Sequence, residues 1–132
     1  MKILVINPGS TSTKVALFED EKRITEKKID HSREELGAFS SIAEELPMRI
    51  ARVKEFLAEN GTVPGGLDVI VARGGMLPPV RHGAYVVDDN LVETLLERPV
   101  EHHASNLGAG MAQASAASRA ARRIFGAAWP CE

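Results

Sequence analysis

Three stretches of the chain carry residues able to do chemistry. In the first, Asn7-Pro8-Gly9-Ser10-Thr11-Ser12-Thr13-Lys14, four consecutive hydroxyl residues lie between a glycine and an ammonium. Such hydroxyls, with the backbone N–H groups around them, can cradle phosphate oxygens. The same residues also suit a plain hairpin turn with no ligand, and local pattern leaves both readings open. It is not a P-loop, because the G-x-x-x-x-G-K-[ST] spacing is missing and the element expected after it is a strand, not a phosphate-holding helix. In the second stretch, Arg73-Gly74-Gly75, a planar guanidinium suits a carboxylate or phosphoryl group, and the glycines allow close backbone approach. A surface arginine before a glycine turn reads the same way. The third runs from Glu101-His102-His103 to Asn106. Adjacent histidines point in different directions and no third ligand lies at a useful spacing, which argues against zinc. One histidine donating to a phosphoryl group is chemically sensible.

Elements must position these residues. Lys2 to Ile6 and Lys14 to Phe18 read as two short strands, so the polar stretch between them is expected to be a hairpin turn. Asn7-Pro8-Gly9-Ser10 fits a type II turn with positive φ at Gly9. Glu19 to Lys22 is a charged turn and Arg23 to Ile29 a polar edge strand, completing an antiparallel meander. Ser32 and Glu35 form a capping box for a helix whose apolar positions are Leu36, Phe39, Ala43 and Leu46. Pro47 starts a second helix with Ile50, Val53 and Leu57 inward, and with Arg49, Arg52, Lys54, Glu55 and Glu59 facing water. Asn60-Gly61 caps it. Leu67 to Ala72 is a buried strand delivering Arg73 at its carboxyl end, where ligands of open α/β sheets bind. Ala84 to Val87 is a further strand, and Asp88-Asp89 caps a short helix using Leu91, Val92 and Leu95.

The chain has 132 residues, 44% hydrophobic and 26% charged, with a formal net charge of -2. That suits one domain with a core and gives no reason to expect a nucleic acid or anionic membrane partner. The single cysteine, Cys131, excludes an internal disulfide. No signal peptide is visible and no apolar run nears the ~18–20 residues that span a bilayer, so the expected location is the cytoplasm.

Val5 through Lys14 resembles the N-terminal signature of the acetate and butyrate kinase family, within the acetate and sugar kinase/actin-like ATPase superfamily. That signature is two apolar residues, Asn, any residue, Gly-Ser, two hydroxyl residues, any residue and Lys. Val71 to Val80, His82 to Val87 and Glu101 to Gly108 are similar to the butyrate kinase branch, where Arg-Gly-Gly replaces the His-Gly-Gly of acetate kinases. One histidine is inserted here, so His103 matches the family histidine. The resemblance implies an α/β, ribonuclease H-like (actin-like ATPase) half-domain, with a mixed sheet beginning as an antiparallel meander and flanked by helices. It implies a phosphotransferase that moves the γ-phosphoryl group of ATP to a short-chain carboxylate (butanoate + ATP = butanoyl phosphate + ADP), with ATP/ADP and Mg²⁺ as cofactors. By the same resemblance Asn7, Gly9, Ser10, Thr11, Ser12 and Lys14 bind phosphate or nucleotide, with Asn7 in the magnesium region. Arg73 and His103 are catalytic, and Gly74, Gly75 and Asn106 bind substrate. A full-length relative could be a homo-oligomer.

The resemblance covers residues 1–108 and stops there. Residues 109–132 are rich in Ala, Arg, Gly and Ser, contain no Asp, and lack a strong apolar stripe. They are expected to form a loosely docked helix or disordered tail, from a truncated or out-of-frame reading, in place of the family's second domain. A phosphoryl-transfer site between two domains would then be incomplete and the chain alone inactive. The alternative is a non-catalytic phosphate- or nucleotide-binding module.

Overall fold

The computed structural model describes residues 1–62, 66–73, 83–97, 103–115 and 122–127. Strands β1 (Lys2–Pro8), β2 (Ser12–Glu19) and β3 (Lys22–Asp30) form the expected antiparallel meander. Helix α1 (Arg33–Gly37), a 3₁₀ turn (Ala43–Glu45) and helix α2 (Leu46–Glu59) lead to β4 (Val69–Arg73). Then come β5 (Gly83–Val86), α3 (Asp89–Glu97), a 3₁₀ turn (Ala104–Leu107), α4 (Gly108–Ser115) and β6 (Arg122–Ala127). Among the described residues the strands make one mixed sheet in the order β3-β2-β1-β4-β6-β5. Strands β1, β4 and β6 run parallel, so their carboxyl ends lie together. β3 is the polar edge, as its composition requires.

Period-two alternation sorts the side chains of β1 and β2. Leu4, Ile6, Val15 and Leu17 are buried on one face, joined from β4 by Ile70 and Ala72. Val53, Phe56 and Leu57 of α2 and Leu107 and Met111 share that core. Asn7 and Lys14, cross-strand partners, alternate onto the opposite face.

The expected caps form. Ser32 Oγ accepts from the Glu35 N–H at 3.1 Å and Asp88 Oδ1 from the Leu91 N–H at 2.8 Å. Pro47 lies in the first turn of α2, and Gly61 follows its end at φ +65°.

Three expectations are corrected. Gly9 does not adopt positive φ: β1 continues through Pro8, and the turn closes with the Gly9 N–H donating to Ser12 O at 2.7 Å. The capping box does not open a helix reaching Leu46, because α1 stops at Gly37. Beyond it, Glu44 Oε2 accepts from the Ser40 N–H and hydroxyl at 2.9 and 2.8 Å, a local arrangement that competes with helical pairing. Finally, residues 108–115 are not loosely docked. Gly108, Ala109, Gly110, Met111, Ala112 and Ser115 are buried, and α4 packs on β1, β4, β6 and α2. A helix buried on nearly every side needs no polar face, which is why its apolar stripe is weak. β6 then enters the sheet between β4 and β5. Residues 116–121 and 128–132 of that segment lie outside the described residues.

Candidate functional site

The β1–β2 loop occupies the carboxyl end of β1. Ile6 pairs with Ala72 in parallel register, so Asn7 and Arg73 follow at the same end of adjacent strands. This is where open sheets of this kind receive ligands. Arg73 is placed here by its backbone. Gly74 and Gly75 lie outside the described residues.

The loop is held from inside by Arg49, which is fully buried in the first turn of α2. Its Nη1 donates to Gly9 O at 2.7 Å, Ser12 O at 3.2 Å and Thr13 Oγ1 at 3.3 Å. Its Nη2 donates to Ser10 O at 3.3 Å and to Glu45 Oε1 at 2.8 Å, and its Nε to the same Glu45 oxygen at 3.2 Å. The remaining loop carbonyl, Thr11 O, accepts from the His31 N–H at 2.9 Å. All four carbonyls from Gly9 to Ser12 therefore have donors. With no cis peptide in the loop, each N–H is antiparallel to the preceding carbonyl, and the Ser10 and Thr11 amides point away from Arg49. Among the described residues these two amides have no acceptor. Ser10 and Thr11 are exposed and Ser12 is half-buried. Successive free amides with hydroxyls beside them make an anion-binding surface.

Thr13 does not share in that surface. Its side chain alternates inward, with Oγ1 2.9 Å from His31 Nε2, so the hydroxyl run supplies three outward groups and one internal anchor. The His31 ring is buried, and its Nδ1 has no partner among the described residues. Burial, then the Arg49 charge, pushes its pKa below the ordinary value of about 6.5, with Arg52 acting the same way and Glu35 and Glu45 opposing. The folded state therefore holds fewer protons than the unfolded chain when pH falls below about 6.5. Stability should be full above that value and decline as pH falls through the lower folded pKa. His31→Gln should shrink the difference in urea midpoint between pH 7.5 and pH 5; an unchanged difference would count against His31 as its source.

Lys14 is exposed, and among the described residues its ammonium has no ion-pair partner. It stands opposite Asn7 on β1 and opposite Lys28 on β3. With Val5, Ala16 and Phe18 these residues line an open depression of about 430 Å³. A second depression, of about 270 Å³ beside α2, has its cations paired: Lys27 with Glu59 at 3.1 Å, Lys28 with Asp30 at 3.7 Å, and Arg52 with Glu35 and Glu55. It offers an anion little. Among the described residues no cluster of three His, Cys, Asp or Glu could hold a metal.

His103 and Asn106 are brought together around the second 3₁₀ turn, His103 exposed and Asn106 buried. They line a crevice of about 10 Å³ with Ile42, Ala43, Leu95, Leu96 and Leu107. The 3₁₀ turn itself packs on β1.

Arg49, Glu45 and His31 were not among the candidates that motif reading supplies, Thr13 was expected among the phosphate-facing hydroxyls, and Arg49 was expected to face water. A signal was present. Positions 49, 53, 56 and 57 follow helical spacing, so Arg49 lies on the same face as Val53, Phe56 and Leu57.

The chain matches proteins of known name. It is 50% identical over 108 residues to "Probable butyrate kinase" of Thermotoga petrophila, covering 82% of this chain and 30% of that protein. It is 49% identical over 107 residues to "Probable butyrate kinase 2" of Caldanaerobacter subterraneus subsp. tengcongensis, covering 81% and 30%. The chain thus spans about 30% of the length of these curated relatives. Among solved structures it is similar to acetate kinase from Entamoeba histolytica, with a TM-score of 0.53 at 15% identity over 96% of this chain and 34% of that one. That likeness shows the fold, a mixed sheet with flanking helices. No protein-family model matches the chain. No helix among the described residues is long and apolar enough to cross a membrane.

Proposed function

We propose that this chain, a homologue of the butyrate kinases over 82% of its length, supplies the phosphate-binding part of a carboxylate kinase. The reaction would move the γ-phosphoryl group of ATP to a short-chain carboxylate, giving an acyl phosphate and ADP. The observation that carries this reading is the β1–β2 loop, with its carbonyls engaged inside and its Ser10 and Thr11 amides without an acceptor among the described residues. Phosphoryl transfer has a loose, charge-rich transition state, so it needs positioned donors and cations more than a covalent nucleophile. Asn7, Gly9, Ser10, Thr11, Ser12 and Lys14 would hold the phosphates. Arg73 and His103 would lie by the transferring group, and Gly74, Gly75 and Asn106 by the carboxylate.

Magnesium would arrive with the nucleotide. The loop offers neutral oxygens, Asn7 and its hydroxyls, and Mg²⁺ bound through substrate phosphates keeps several waters and needs few protein ligands. The domain reading follows: residues 1–108 would be the family segment and 109–132 divergent from it. The chain alone should bind Mg-ATP without turning over butyrate, because transfer needs a site closed against water.

Titration calorimetry with Mg-ATP, beside a coupled assay for butyrate-dependent ADP release, tests this. Binding without turnover is expected. Turnover by the chain alone would overturn its inactivity, and a folded chain that binds neither Mg-ATP nor pyrophosphate would overturn the phosphate reading.

A further inference from the structure

We propose that Arg49 is a positioning residue for the anion loop: its guanidinium, anchored by Glu45, draws the Gly9, Ser10 and Ser12 carbonyls inward and so aims the Ser10 and Thr11 amides at a bound phosphate. The ligand in this inference rests on the phosphate reading above; the mechanical part does not.

The placement of Arg49 is hard to explain by helix stability. A cation in the first turn sits at the positive end of the helix dipole, and its complete burial adds a desolvation cost. Arg52, one turn further on, bridges Glu35 and Glu55 at the surface, as an ordinary helix arginine does. Arg49 instead divides its donors between one carboxylate oxygen and four loop acceptors, three of them carbonyls and the fourth Thr13 Oγ1. Only a planar fork can serve acceptors spread that way, and the compact ammonium of lysine cannot. The Glu45 carboxylate fixes the fork from the other side and offsets its charge. The loop thus has a rigid backing on a helix, as a preorganised anion site requires.

The test compares the wild-type chain with Arg49→Lys, which keeps the charge and loses the fork. Hydrogen exchange is read at the two amides that close the loop, Gly9 (to Ser12 O) and His31 (to Thr11 O). The controls are Asp68 (to Lys2 O), at the far end of β1, and Thr62 (to Leu57 O). At least tenfold faster exchange at Gly9 and His31 is expected, with the controls unchanged, and at least tenfold weaker binding of inorganic pyrophosphate. Equal acceleration at all four amides would reduce Arg49 to a general structural role and overturn the inference. Unchanged loop exchange would overturn it too, whatever happens to binding. If Arg49→Lys does not fold, Glu45→Gln, which weakens the anchor alone, is expected to show the same local pattern at smaller size, and uniform or absent acceleration there would be equally contrary. A wild-type chain that ignores pyrophosphate would end the phosphate reading, while the exchange pattern would still decide the positioning.

Discussion

Replacing Arg49 with Met should lower the free energy of unfolding by about 3–5 kcal/mol, the usual cost of removing one partner from a buried ion pair. The side chain of Glu45 is only 12% exposed, and its carboxylate would be left with no ion-pair partner among the described residues. The carbonyls of Gly9 and Ser10 would lose their Arg49 donors at the same time, while Ser12 O keeps the Gly9 N–H, and acceptors left without donors add to the loss. Against a total stability of roughly 5–15 kcal/mol for a domain of this kind, that is a large fraction. Arg52→Met is the matched control. Its side chain is 40% exposed and its bridges lie at the surface, so the loss should stay within about 1 kcal/mol. Urea denaturation of both variants checks the pair, and equal losses would mean that the buried network contributes no more than surface charge.

Lys14→Met should weaken binding of Mg-ATP or pyrophosphate by roughly tenfold to a hundredfold, the equivalent of losing one hydrogen bond to a charged group at about 1.5–3 kcal/mol. Its effect on stability should be absent or slightly favourable. Lys14 makes no ion pair among the described residues, and it stands directly across from Lys28, a like-charge pairing that disfavours the sheet. A cation kept at a mild cost to folding is what an anion site needs. A variant that binds as the wild type does would take Lys14 out of the site, and one that unfolds readily would make it a structural residue.

Much of this arrangement was legible in the residues. The meander followed from two short apolar runs and a polar edge strand joined by turns, and Arg73 was placed at the carboxyl end of a buried strand, which the parallel register of β1 and β4 puts beside the loop. The interior of the loop was hidden for a physical reason. Charge is read as exposure, and Arg49 reverses that rule because its acceptors come from a hairpin about forty positions away, which no local window contains. Helix α4 was misread by the inverse error. Small residues look like a solvated tail when they give no amphipathic stripe, yet Gly110 and its neighbours are small because the helix lies close: a Cβ at Gly110 would meet Leu46 Cδ2 at 3.2 Å. The missing turn at Gly9 has a simpler cause. Pro-Gly is compatible with a type II turn but does not compel one, and here strand pairing of Pro8 with Thr13 carries β1 past the proline.

The central claim is that the β1–β2 loop binds phosphate through its outward amides and Lys14. It is tested most directly by adding inorganic pyrophosphate, then Mg-ATP, to the ¹⁵N-labelled chain and following its backbone amide resonances. The account predicts saturable shifts concentrated at Asn7, Ser10, Thr11, Ser12 and Lys14, which in Lys14→Met need roughly tenfold to a hundredfold more ligand to saturate. Shifts centred instead on Lys27, Arg52 and Glu55 beside α2, or no shifts in a folded chain, would contradict it.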